Sequence, residues 1–135
     1  MKYRTRLSRK ADYALRAIRH CTRLPKDEFG SISEIAAAEM VPRQFLARIL
    51  SDLTQGGILI SHRGVKGGYR LARKPREISY LDVIETIDGS IQLNLGRHRK
   101  NCAISKFWGT QEDMMIKALR KQHFGLHVKK TTKKK

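Results

Sequence analysis

The sequence has little cysteine, little acid and no long apolar run. Two cysteines, Cys21 and Cys102, are too few for a disulfide framework, and they form no CxxC metal motif. No apolar run approaches the roughly 20 residues of a transmembrane helix, and the basic N-terminus has no apolar stretch typical of a secretory signal. These absences predict a reduced, cytoplasmic protein with no membrane partner.

The shortage of acid leaves the chain strongly basic. Its 135 residues hold 29 Lys or Arg against 12 Asp or Glu, a formal net charge of +17. Such an imbalance indicates partners rather than fold, and nucleic acid is the first partner to consider, ahead of an anionic membrane. The length favours one domain that folds without disulfides or metal.

Apolar periodicity predicts a first helix over residues 8–24. Cys21 lies on its apolar stripe, so we expect a core residue rather than a reactive thiol. Ser31 and Glu34 have the spacing of a capping box, which predicts that a short second helix begins there.

A third helix is predicted from Pro42, which suits a first helical turn, to the Gly56–Gly57 pair. Two short helices joined by a tight turn are typical of a helix-turn-helix. One face of the third helix is apolar, through Phe45, Leu46, Ile49, Leu50 and Leu53. The opposite face carries the candidate DNA-reading residues Arg43, Gln44 and Arg48.

The stretch ISHRGVKGGYRLARK, residues 60–74, concentrates cations around glycines. One hypothesis is a loop that cradles a nucleotide phosphate, but the P-loop and dinucleotide-binding spacings are both absent. The other is a β-hairpin whose tip contacts a nucleic acid backbone, with strands over 58–63 and 69–72. A basic hairpin directly after a helix-turn-helix is typical of a wing. The candidate DNA contacts in it are His62, Arg63, Lys66 and Tyr69.

Beyond the wing, Ser79 and Asp82 predict the capped start of a helix that ends at Gly89. Residues 1–89 are therefore interpreted as the winged helix-turn-helix domain, and residues 90–102 as a loop. A long amphipathic helix over 103–124 adds apolar surface that such a domain does not need, which favours a homodimer over packing on its own domain. Residues 125–135 are predicted to be a disordered basic tail.

Residues 7–120 resemble the Rrf-type bacterial winged-helix transcriptional regulators, the family of IscR, NsrR and CymR. The most specific match is R-G-x-x-G-G-Y-x-L-A, here Arg63–Ala72, after a helix pair of this kind. The resemblance implies a mostly α-helical homodimer whose long C-terminal helix crosses to the partner. It also implies that the helix from Pro42 enters the major groove and that Arg63 reaches the minor groove.

Cluster-binding members of this family carry three cysteines ahead of the long helix. Counted from Cys102, the other two positions hold Asn94 and Trp108, neither of which supplies a thiolate. We therefore expect no iron–sulfur cluster and no metal site. Cations beside Cys102 would lower the pKa of its thiol, so Cys102 is either a possible redox sensor or a residue with no function.

The function predicted is a dimeric, sequence-specific DNA-binding transcriptional regulator, a repressor that binds double-stranded DNA. The alternative is a non-specific nucleic-acid-binding protein that uses the charge alone. An enzyme is not predicted, because the sequence shows no paired carboxylates, nucleophile–base motif or metal set.

Overall fold

The computed structural model describes residues 7–93 and 102–128. Five helices and one antiparallel hairpin form this part of the chain, which confirms the predicted fold class. The helices are α1 (Arg9–Thr22), α2 (Ile32–Glu39), α3 (Arg43–Gln55), α4 (Tyr80–Asp88) and α5 (Ala103–Lys121). The strands are β1 (Leu59–His62) and β2 (Gly68–Leu71), and short 3-10 helices span Pro75–Glu77 and Phe124–His127.

Helix α1 lies at the centre of the core and packs against α2, α3 and α4. It begins at Ser8, whose side chain accepts a hydrogen bond from the Ala11 amide at 3.0 Å. Three alanines on its buried face, Ala11 among them, leave room for the neighbouring helices to approach closely. Cys21 is buried on the same face, as predicted, and burial raises the pKa of its thiol to about 12.

The helix-turn-helix forms as predicted. The Ser31 hydroxyl accepts from the Glu34 amide at 3.1 Å, and the Glu34 carboxylate accepts from the Ser31 amide at 3.3 Å. Helix α3 buries Leu46, Ile49, Leu50 and Leu53. The expectation that Phe45 belongs to the buried row is wrong, since the ring lies at the edge of the stripe, 42% exposed.

The hairpin is joined to the rest of the domain at its base and along β2. Leu59 pairs with Leu71 at its base, where Leu59 is buried, and His62 pairs with Gly68 near its tip. The backbones of Gly30 and Tyr69 exchange two hydrogen bonds of 2.8 Å, which form an isolated β-bridge beside β2. Gly68 lies within β2 and not in the connection as predicted. It has a φ of +153°, and a Cβ there would collide with the Gly30 carbonyl.

The C-terminal segment differs from its prediction. Helix α5 ends at Lys121, and the 3-10 helix that follows places Phe124 in the core at 0% exposure. The Phe124 amide donates to the Ile78 carbonyl at 3.0 Å, and the Tyr80 amide donates to the Gln122 carbonyl at 2.8 Å. The 3-10 helix thus covers the first residues of the segment predicted to be a tail, and residues 129–135 lie outside the described part of the chain.

Candidate nucleic-acid interface

The first half of the candidate interface is the exposed face of α3. Arg43 and Gln44 occupy the first turn of the helix and Arg48 the second, and all three are exposed, as predicted. Arg48 Nε lies 3.3 Å from Asp52 Oδ1, but the arginine side chain remains 75% exposed. A surface ion pair of this kind is weak, so Arg48 can exchange it for a phosphate at small cost.

The second half is the tip of the hairpin. Arg63, Val65 and Lys66 are exposed there, and the turn is closed by a 3.0 Å hydrogen bond from the Gly67 amide to the Gly64 carbonyl. Gly64 has a φ of +127°, a conformation that favours glycine. The turn therefore presents two cations and one apolar side chain to solvent.

His62 and Tyr69 do not lie at the tip with Arg63 and Lys66. His62 ends β1, and its ring stacks on Phe29 with centroids 5.1 Å apart and an interplanar angle of 27°. Tyr69 packs against the core while its backbone pairs with Gly30. Its observed contacts hold the hairpin in place, and its use as a DNA contact stays a prediction.

Sequence reasoning missed a contact at the side of the hairpin. The guanidinium carbon of Arg70 lies 4.6 Å from the centroid of the Phe29 ring, and Arg70 Nη1 lies 3.7 Å from Asp27 Oδ1. Phe29 lies in the loop between α1 and α2, where no periodicity indicates its partners. Only the fold brings that loop beside β2.

Charge on this part of the molecule is almost entirely positive. Residues 43–72 hold five Arg or Lys side chains and a single acid, Asp52. A segment of this composition attracts the phosphate backbone at long range, while the Arg and Gln side chains at the start of α3 can make hydrogen bonds to base edges.

Cys102 lies at the N-cap of α5, and its side chain makes no capping hydrogen bond. The backbone amides of Ser105 and Ile104 nevertheless lower the pKa of its thiol. The predicted lowering of the Cys102 pKa is therefore right, but in the described residues its cause is the backbone at the N-terminal end of α5. The cations expected to act, residues 98–100, lie outside the described part of the chain.

The helix-turn-helix and the basic hairpin that follows it define the winged helix-turn-helix class, to which this chain adds the long helix α5. The family model of Rrf2, described as an iron-dependent transcriptional regulator, matches residues 7–126. The chain belongs to this Rrf2 family, which consists of transcriptional regulators and not of enzymes.

Relatives of known sequence support the assignment. The Mycobacterium tuberculosis protein named "Putative HTH-type transcriptional regulator Rv1287" is 42% identical over 86 residues, which cover 64% of this chain and 53% of that protein. The rrf2-like protein of Rhodobacter capsulatus is 36% identical over 88 residues, 63% of this chain and 59% of its own length. The matched stretch thus spans little more than half the length of these curated relatives.

Solved structures share the fold. CymR, the global cysteine regulator of B. subtilis, superposes with a TM-score of 0.77 at 22% identity, covering 89% of this chain and 93% of CymR. IscR of T. potens gives a TM-score of 0.76 at 21% identity, covering 96% and 93%. Within residues 7–93 and 102–128, no helix is long and apolar enough to cross a membrane.

The family description raises the question of iron. A ferrous ion or cluster needs several thiolate, imidazole or carboxylate ligands. In the described residues no three His, Cys, Asp or Glu side chains come together in a way that could hold a metal. Cys21 is buried in the core with a raised pKa, and position 108 is a tryptophan on α5. These residues do not fit an iron site, and Asn94 lies outside the described part of the chain.

Proposed function

We propose that this chain is a sequence-specific DNA-binding transcriptional regulator that acts as a homodimer. The observation that carries the proposal is the exposure of Arg43 and Gln44 at the start of α3, together with Arg63 and Lys66 at the hairpin tip. A recognition helix reads bases in the major groove with its N-terminal residues, and basic wing residues contact phosphates or enter the minor groove.

Dimerisation is supported by the surface of α5. None of its 19 residues is buried, and five of its large apolar side chains are exposed to solvent. Those that are 40–67% exposed are Ile104, Phe107, Trp108, Met114 and Met115. A contiguous apolar face on one helix marks an interaction surface, and two-fold DNA sites are read by two-fold proteins. A second copy of the chain is therefore the proposed partner.

We further propose repression as the mode of action, because a dimer seated on a promoter excludes other proteins from the same DNA. We also propose that the protein binds no iron–sulfur cluster, since the residues described above do not fit an iron site. A reporter gene driven by a promoter that carries the site this protein selects from random duplex DNA tests the sign of regulation. Repression predicts lower expression when this protein is present, and higher expression would identify an activator.

The charge of +17 favours a second candidate, a non-specific nucleic-acid binder. Selection from random duplex DNA, followed by titration of the selected duplex and a scrambled one at physiological salt, separates the two. A specific regulator binds its site about 10³-fold or more tightly than unrelated DNA. Equal affinity for the two duplexes would establish the non-specific binder.

Gln44 and Arg48 refine this experiment. A base reader changes the selected motif when substituted, whereas a phosphate contact weakens all sequences alike. We expect Gln44→Ala to relax the motif at one position of each half-site, and Arg48→Ala to leave the motif intact while lowering affinity. An unchanged motif for Gln44→Ala would remove Gln44 from the base-reading residues.

Cys102 stays a candidate sensor of oxidants. Peroxide treatment of the wild-type protein and of Cys102→Ser, followed by titration of the selected duplex, provides the test. Loss of binding by the wild-type protein alone would identify Cys102 as the sensor, and equal responses would exclude it.

A further inference from the structure

Phe29 contacts both strands of the hairpin from the loop between α1 and α2. The His62 ring at the end of β1 stacks on it at 5.1 Å, and the guanidinium carbon of Arg70 on β2 lies 4.6 Å from its centroid. Stacked rings and cations over ring faces are attractive beyond the apolar area that they bury. One side chain outside the hairpin thus holds a residue from each strand.

Phe29 lies directly before the residues that connect the hairpin to α2. The next residue, Gly30, makes the two backbone hydrogen bonds to Tyr69, and the one after, Ser31, caps α2. Three consecutive residues therefore link the hairpin to the helix-turn-helix. Phe29 contacts the hairpin through its ring, Gly30 bonds to it through its backbone, and Ser31 begins α2. The orientation of the wing relative to the helix pair depends on this junction.

The far end of the hairpin has few other supports. Its base is held by buried Leu59, but β1 is exposed from Ile60 onward. A two-stranded hairpin is only marginally stable by itself in water. The Phe29 contact lies at His62, directly before the exposed tip that begins with Arg63, so it restrains the hairpin close to the residues proposed to contact DNA.

We propose that Phe29 is a positioning residue for DNA binding, because its ring, packed on His62 and Arg70, fixes the angle at which Arg63 and Lys66 meet the DNA. This inference rests on the proposed function. It also sets a limit: Phe29 acts through the wing, so its loss costs no more affinity than loss of the wing contacts themselves.

The main variant is Phe29→Leu, which keeps an apolar side chain and removes the aromatic face. We expect its affinity for the selected duplex to fall by about fivefold to tenfold, the scale of one aromatic contact. Phe29→Tyr keeps the ring and should stay within about twofold of wild type. Asp27→Asn should also stay within about twofold, because Asp27 is 80% exposed and its ion pair is weak.

A double-mutant cycle separates positioning from a general structural role. In an Arg63→Ala/Lys66→Ala background the wing has no cations left to position, so Phe29→Leu should change affinity by less than about twofold. A Phe29→Leu effect of full size in that background would overturn the inference.

A spectroscopic readout reports the contact itself. We expect the ring current of Phe29 to shift the His62 imidazole protons in the wild-type protein. In Phe29→Leu these signals should move to the position of a free histidine while the core signals stay in place. Unmoved His62 signals would contradict the stacking on which the inference depends.

Arg70→Met provides a second variant if Phe29→Leu fails to fold. It keeps the aliphatic stem and removes the cation over the ring, and we expect a loss of about twofold to threefold that again disappears in the Arg63→Ala/Lys66→Ala background. No loss for Arg70→Met, with a stable fold, would overturn the inference in that case.

These experiments also distinguish failure of the positioning role of Phe29 from failure of the proposed regulator function. If the wild-type protein shows no preference for any duplex, the proposed function fails and the inference falls with it. If the preference is present and Arg63→Ala/Lys66→Ala weakens binding but Phe29→Leu does not, the regulator function stands and only the positioning role is overturned.

Discussion

Helices α3 and α5 both carry an apolar stripe, yet they use it in opposite ways. Over 13 residues α3 buries Leu46, Ile49, Leu50 and Leu53 against its own domain. Over 19 residues α5 buries none, although Phe107 and Trp108 pack edge-to-face on it with centroids 5.1 Å apart. An apolar stripe read from sequence therefore establishes that a helix has an inner face, but not which chain covers that face.

The difference explains how we divide the functions between the two helices. With its apolar side fixed in the core, α3 holds its polar face steadily toward solvent, as a DNA-reading helix requires. The apolar side of α5 is free to pack on another copy, and its last turn leads into Phe124, which is buried in the core of its own domain. In the proposed dimer, the C-terminal end of each α5 would thereby be anchored to the DNA-binding domain of its own chain.

The largest contrast should appear in stability. Leu50→Ala opens a cavity in the core, and we expect it to lower the free energy of unfolding by about 2–5 kcal/mol. Met114→Ala removes an exposed side chain from α5 and should cost less than about 1 kcal/mol at concentrations where the protein is monomeric. Chemical denaturation of both variants measures this, and similar losses would show that α5 is already covered within its own chain.

Dimerisation should depend on the apolar face of α5 and not on the buried face of α3. Phe107→Asp places a charge on the proposed contact face of α5, so we expect the mass in solution to fall from dimer to monomer and the affinity for the selected duplex to fall with it. Light scattering over a range of concentrations provides the measurement. Lys106→Asp, one residue away and also exposed, is a control for the added charge. A dimer that persists in Phe107→Asp would contradict the assignment of α5.

The wing makes a smaller but more specific contribution. Arg63→Ala should weaken binding to the selected duplex by about 1–3 kcal/mol, the scale of one good groove contact, without changing the mass of the dimer. Arg16→Ala removes the same charge from α1, where the guanidinium pairs with Asp12 at 2.9 Å, and tests whether charge alone is responsible. An equal loss of affinity in the two variants would show that Arg63 contributes only through its charge and makes no specific contact.

The smallest expected effect is the response of the C-terminal segment to acid. Burial, and then the charges of Arg19 and Arg23, lower the pKa of His127 below its ordinary 6.5. The His127 Nε2 atom is hydrogen-bonded to the Tyr80 hydroxyl, and burial and the two arginines favour the neutral form of the ring. Because the pKa is lower in the folded state, this contribution to stability is complete above about pH 6.5 and is lost as the pH falls through the folded value.

The test compares denaturation midpoints at about pH 7.5 and pH 5 for the wild type and for His127→Gln. Glutamine retains an oxygen acceptor that does not titrate, so the wild-type protein should lose more stability on acidification than the variant. An equal loss for both would exclude His127 as the titrating group.

Local signals predicted local structure well. The Ser31–Glu34 and Ser79–Asp82 capping boxes form, and the glycine-rich connection becomes a hairpin with Gly64 at positive φ. These features depend on neighbours in the chain. The burial of Phe124 and the stacking of Phe29 on His62 depend on residues far away in sequence, so periodicity gave no indication of either. The exposed ring of Phe45 shows the same limit at the edge of a stripe, where burial is decided by the neighbouring helix.

Composition of the complex on DNA tests the central claim most directly. Native mass spectrometry of the protein with its selected duplex should give two chains per duplex, bound to a motif with two half-sites about one helical turn apart and preferred over scrambled DNA. Arg63→Ala should retain two chains at lower occupancy, whereas Phe107→Asp should lose the paired species. One chain per duplex, or binding that ignores sequence and adds further chains as the DNA lengthens, would contradict a dimeric regulator in which α3 reads DNA and α5 joins the copies.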